Sequence, residues 1–160
     1  MNSDRIFFVT TITAGRLPIF RQDANARLMM DTLAHYRDQG KFLLHEFVVM
    51  PDHVHLLLTP APEVTLERAM QFIKGGFSFR KKSRGPAWQA SFTNHRVRDY
   101  GDYERHREYI WMNPVRARLV ERAGDYPYSS AAGGLRMDPI PESLEKSVEE
   151  RLFQGRVRCG

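Results

Sequence analysis

Cysteine is almost missing from this chain: one residue in 160, Cys159, at the far end of the sequence. Its scarcity excludes an internal disulfide and any thiolate-rich metal centre, and such usage suits a reducing cytoplasm. Long apolar runs are missing too. None approaches the roughly 20 residues that cross a bilayer, and Asp4 and Arg5 precede the first short apolar stretch, so no membrane span or signal peptide is expected. Internal repeats and low-complexity segments are also absent, which argues against a repeat array or a disordered tail as the organising feature.

What is present is ordinary globular usage, 42% hydrophobic and 27% charged. A chain of 160 residues and 18.6 kDa fits one domain that buries roughly two thirds of its unfolded surface. Lys and Arg number 24 against 19 Asp and Glu, a net charge of +5 that favours a polyanionic partner. The positive charge gathers at Arg80, Lys81, Lys82 and Arg84, at Arg96 and Arg98, and at Arg105, Arg107, Arg116 and Arg118, while acidic residues collect between Glu142 and Glu150.

The β-branched and aromatic run Ile6 to Ile12 predicts a first strand with Phe7, Val9 and Thr11 on one face. From Asp23, read as an N-cap, apolar residues Ala26, Met29, Met30, Leu33 and Tyr36 keep the helical period until Gly40 stops it. Phe42 to Met50 and residues 53–59 predict two strands of an antiparallel hairpin across Pro51 and Asp52. Thr65 caps a second helix with Leu66, Ala69, Met70, Ile73 and Phe77 along one side, where Gly75 and Gly76 imply a kink or a close approach. His95 to Arg98 fits a short fourth strand. A third helix covers residues 102–113 and is expected to end at Asn113, because Pro114 disfavours helical geometry before it. Leu144, Val148 and Leu152 suggest a small amphipathic C-terminal helix.

Two stretches carry chemistry. In Met50-Pro51-Asp52-His53-Val54-His55-Leu56-Leu57-Leu58, strand alternation sends His53 and His55 to one side, where they can bind a metal or simply face water. In Tyr109-Ile110-Trp111-Met112-Asn113-Pro114-Val115-Arg116-Ala117, helical geometry sets a phenol and an amide on one face about a turn apart. Basic residues interleaved with aromatics form a third feature. Lys74, Arg80, Lys81, Lys82, Arg84, Arg96 and Arg98 can track a nucleic-acid backbone, Trp88 or Phe92 can stack an unpaired base, and His95 can handle a strand beside them. His35, His45 and His106 are read as surface or packing residues.

Taken together, these stretches resemble the IS200-like tyrosine transposases of the HUH nuclease superfamily, most closely their REP-associated branch. The resemblance runs from the first strand to about Ser130 and includes Trp88-Gln89, His95 and the Asp125-Tyr126-Pro127 turn. It implies an α/β (α+β), ferredoxin-like antiparallel sheet with helices packed on it, as a catalytic domain over residues 1–125 and a C-terminal extension over 126–160. It further implies a metal-dependent single-stranded DNA endonuclease and strand transferase acting near hairpins. In that reading Tyr109 is the nucleophile that forms a 5′-phosphotyrosine, and His53, His55 and Asn113 hold Mg²⁺ or Mn²⁺. Asn113 stands where IS200 enzymes proper have Gln. Imidazole ligands also suit zinc. The expected partner is single-stranded or hairpin DNA, with no membrane, for a monomer or homodimer. The alternative is a domesticated DNA-binding protein of the same fold without catalysis. Asp52, Trp111, Met112 and Arg118 depart from the family pattern, Arg118 standing where Gly is common.

Overall fold

The computed structural model describes residues 5–82, 85–141 and 144. The C-terminal helix expected around Val148 and Leu152 lies outside them, as do Arg84 and Cys159. Strand β1 (Ile6–Ile12) is followed by helix α1 (Asp23–Asp38), strands β2 (Phe42–Met50) and β3 (His53–Pro60), helix α2 (Leu66–Lys81), strand β4 (Thr93–Val97) and helix α3 (Tyr100–Arg116). The strands stand in the order β2-β3-β1-β4, every neighbouring pair antiparallel. This is the ferredoxin-like βαββαβ arrangement, with α3 added afterwards.

Helices cover both faces. On one, Leu33, Met29, Ile73 and Phe77 from α1 and α2 pack on Val9, Phe47, Leu56 and Leu58. On the other, Tyr103 and Ile110 of α3 join Ile6, Val48, Leu57 and Val97, together with Tyr126. Burial on both sides explains why Leu56-Leu57-Leu58 is an unbroken apolar run, where a half-wet strand would alternate. The chain after residue 125 lies against β2: the Tyr126 hydroxyl donates to the Val49 carbonyl at 2.6 Å, and the Val49 amide donates to the Tyr128 carbonyl at 2.8 Å.

Thr65 caps α2 as expected, accepting from the Arg68 amide at 3.1 Å. Asp23 does not cap α1. It is the first helical residue, Gln22 holds the cap position without a side-chain bond, and the Asp23 carboxylate accepts from Arg27 one turn on. The glycine pair in α2 marks a close approach: a side chain at Gly76 would run into the ring of Tyr36 on α1, whereas Gly75 has open space around it.

Helix α3 runs past its expected end, with Pro114 buried inside it. Proline there costs one amide donor, and it falls in the last turn. The amides of Ala117, Arg118 and Leu119 still close onto the carbonyls of Asn113, Val115 and Pro114. Arg118 takes the left-handed position of this ending at φ 60°, where glycine is usual. Residues 115–120 are the helix end and a largely exposed turn.

Candidate active site

The β3 alternation sends Val54 into the α1/α2 core and turns His53 and His55 toward α3. Their rings lie 4.7 Å apart. Tyr109 comes from α3 to within 5.2 Å of the His55 ring, near edge-on, with 41% of its surface open to solvent. Asn113 follows one helical turn later on the same side of α3.

Each imidazole is held by one nitrogen. Register places Thr10 of β1 directly across from His55, and its Oγ1 lies 2.7 Å from His55 Nδ1. His55 Nε2 is left buried without a partner, one of two such side-chain atoms among the described residues. Burial, aided by the charge of His53, pushes the His55 imidazole down to about 3. At neutral pH the ring therefore carries no charge and its lone pair is available. His53 Nδ1 lies 2.6 Å from Asp52 Oδ1, which directs Nε2 outward. Burial pushes the Asp52 carboxyl up, but the His53 hydrogen bond and the charges of His53 and Arg16 outweigh it and hold it below the usual range. Chemically, the face offers two imidazole nitrogens to one cation beside an open phenol.

Helix α3 is fixed to the sheet by a half-buried anchor. Trp111 Nε1 donates to Glu46 Oε2 at 2.9 Å, the Ser130 hydroxyl donates to the same oxygen, and Arg107 lies 5.1 Å over the Trp111 ring. The Arg116 guanidinium sits 5.3 Å from the centre of the Tyr109 ring. Phe8 touches both sides of the site, stacking on His55 at 5.4 Å and meeting Tyr109 at 6.0 Å. Its third neighbour is His106 at 4.6 Å, which stacks in turn on His95. The carboxylate of Asp102 lies 2.6 Å from His95 Nε2 and 3.2 Å from His106 Nδ1.

Sequence reasoning singled out the two histidines, Tyr109 and Asn113, and did not single out Thr10, Phe8, Glu46 or the Asp102 cluster beside them. Alternation along β1 already put Phe8 and Thr10 on one face, and only the pairing register adds that they face His55. The other expected residues divide. His95 lies on the α3 side of β4, while Arg96 turns to the opposite side, over the Phe7 ring at 5.4 Å. Arg98 is exposed beyond the strand end. Arg80, Lys81 and Lys82 sit at the C-terminal end of α2, on the sheet face away from the histidines. The Lys74 ammonium is half-buried against the Gln89 carbonyl at 2.8 Å, and burial lowers its pKa. Trp88 is buried between Phe20 and Phe77 and donates to the Lys74 carbonyl, which makes it a core residue instead of an open stacking platform.

Residues 5–112 match the family described as "Transposase IS200 like". Fold and match together define an IS200-like transposase. A REP-associated tyrosine transposase of Escherichia coli (strain K12) is 31% identical over 118 residues, covering 70% of this chain and 71% of the relative. A Haemophilus influenzae protein provisionally described the same way is 28% identical over 154 residues, covering 81% and 88%. A solved structure of a REP-associated tyrosine transposase bound to a REP hairpin superposes with a TM-score of 0.65 at 26% identity, covering 88% of this chain and 85% of that one. The chain belongs to the REP-associated tyrosine transposases of the IS200-like family.

Proposed function

We propose that this enzyme cleaves and rejoins single-stranded DNA next to a hairpin, with Tyr109 as nucleophile and a divalent cation held by His53, His55 and Asn113. The observation that carries the reading is the meeting of Tyr109 with an imidazole whose buried Nε2 has no partner. A buried nitrogen left unbonded costs about 1–3 kcal/mol unless a partner meets it. A cation between the histidines fits that donor set: two neutral imidazoles and an amide supply three ligands and leave positions for phosphate oxygens. When bound, Mg²⁺ or Mn²⁺ would neutralise charge on the scissile phosphate.

The chain's own residues supply the rest. Thr10 and Asp52 fix which imidazole nitrogen faces the site. The Tyr109 oxygen attacks the phosphorus, its proton leaves to solvent, the 3′-oxygen departs, and a 5′-phosphotyrosine remains; attack by a 3′-hydroxyl reverses the step. Arg116 beside the ring offers a guanidinium to a phosphate there. A hairpin partner is supported by the bound hairpin in the structural relative.

The test is incubation with labelled single-stranded hairpin DNA and Mn²⁺ or Mg²⁺. Wild type should form a covalent adduct on denaturing gels and Tyr109→Phe none. An undiminished adduct in that variant removes Tyr109 from the role. Tight binding with no adduct from wild type would instead favour a DNA-binding module without catalysis.

A further inference from the structure

We propose that His95, Asp102 and His106 form a second divalent-metal site, suited to a zinc-like transition ion, that clips β4 to the start of α3. No role in the proposed strand transfer requires it. One ligand atom from each residue lies within 4.8 Å of the other two. Two imidazoles and one carboxylate are a donor set that zinc takes with an open position for water.

The geometry favours an ion over three unrelated side chains. The carboxylate meets a nitrogen of each of two nearly parallel, stacked imidazoles, 21° apart in plane with centroids 4.9 Å apart. Asp102 is placed by the first turn of α3, its amide donating to the capping Asp99 side chain at 2.8 Å. His106 is wedged against Phe8 on the inner side. His95 is about half exposed, so the site opens to solvent on its outer side. The His95–Asp102 hydrogen bond uses atoms that would bind the ion, and an ion would take the place of its proton, while His106 Nδ1 also lies 2.8 Å from the Asp102 backbone carbonyl. Arg105 reaches the Asp102 carboxylate at 3.4 Å from an exposed position and is a weak competitor.

This site is separate from the His53–His55 pair. The Phe8 ring stands between His55 and His106, in contact with both. The expected effect is mechanical: an ion joining β4 to α3 stiffens the helix that carries Tyr109.

The experiment uses the full chain with His53→Ala and His55→Ala, which remove the first pair, and Cys159→Ser, which removes the lone thiol. Equilibrium dialysis against micromolar Zn²⁺ should find about one bound equivalent, and Zn²⁺ should raise Tm in a concentration-dependent way. Adding His95→Gln, an exposed change with little reason to unfold the chain, should weaken Zn²⁺ binding at least tenfold and abolish the Tm shift. Adding Asp102→Asn should do the same. No bound equivalent in the starting variant overturns the proposal, and so does binding that survives both additions. Failure of the His53–His55 reading would appear separately, as an equivalent count in the wild-type background that does not fall on removing those histidines.

Discussion

The hydroxyl of Thr10 meets Nδ1 of His55 across the β1–β3 ladder at 2.7 Å, leaving Nε2 as the imidazole nitrogen without a bond. One side chain on a neighbouring strand therefore orients a proposed ligand. Thr10→Val keeps the shape and removes that hold. Losing such a supporting hydrogen bond typically costs about 10–100-fold in metal affinity. Mn²⁺ titration of wild type and Thr10→Val should show a drop in this range with an unchanged circular dichroism spectrum. Equal affinities would mean that packing against Phe8 alone orients the ring.

Trp111→Phe tests the anchor of α3. It keeps the aromatic bulk and breaks the bond to Glu46, leaving a half-buried carboxylate with one donor fewer. A loss of about 1–3 kcal/mol in urea melts is expected. Adduct formation should slow as well, because the same helix carries Tyr109. A stability loss with an unchanged cleavage rate would separate the anchor from the chemistry.

Helix α2 offers a matched pair of substitutions. Gly75→Ala meets open space and should stabilise by about 0.5–1 kcal/mol. Gly76→Ala must displace the Tyr36 ring from its contact with Phe72, and overpacking of this kind costs about 1–3 kcal/mol. Gly75→Ala should therefore melt above wild type and Gly76→Ala below it, by thermal unfolding at one pH. The reverse order would mean that Tyr36 moves aside freely.

His45 predicts a pH dependence of stability. Burial is the main cause that lowers its pKa from the usual 6.5, against an opposing hydrogen bond to the Asp138 carbonyl. Below about pH 6.5 the unfolded chain takes up a proton that the folded chain resists, so stability is full above that pH and falls as pH drops through it. In His45→Gln this fall should be shallower between pH 7.5 and 5. Identical slopes in chemical denaturation would contradict the assignment.

The basic end of α2 is tested by salt. If Lys81 and Lys82 each contact a single-strand phosphate, replacing both with Ala should reduce the slope of log K against log salt by about 1.4. An unchanged slope places the backbone contacts elsewhere on the molecule.

The parts of this protein legible in its sequence are those set by local periodicity. Strand alternation is enough to pair His53 with His55, and helical spacing is enough to align Tyr109 with Asn113. Thr65 announces its helix because a cap needs only the next few residues. What stayed hidden depends on neighbours distant in the chain. Thr10 and Phe8 gain their meaning from the register of β1 against β3, and Glu46 from a helix 65 residues away. Trp88 looked like a stacking surface because aromatic type says nothing about which layer will cover it, and Phe20 and Phe77 do. Pro114 signalled a helix end that burial and the amide bonds of the following turn overrode.

Only Pro51 and Asp52 separate β2 from β3, and the turn is clasped from outside: the amides of Phe20 and Thr13 donate to its two carbonyls at 3.1 and 3.0 Å. The turn thus acts as a gauge for everything downstream. One residue inserted there would reverse the parity of β3, delivering Val54 to the side where the imidazoles belong and burying both histidines beneath α1 and α2. Length variation among descendants of this gene should therefore be excluded from this corner and admitted in the surface segments before α1 and after α3.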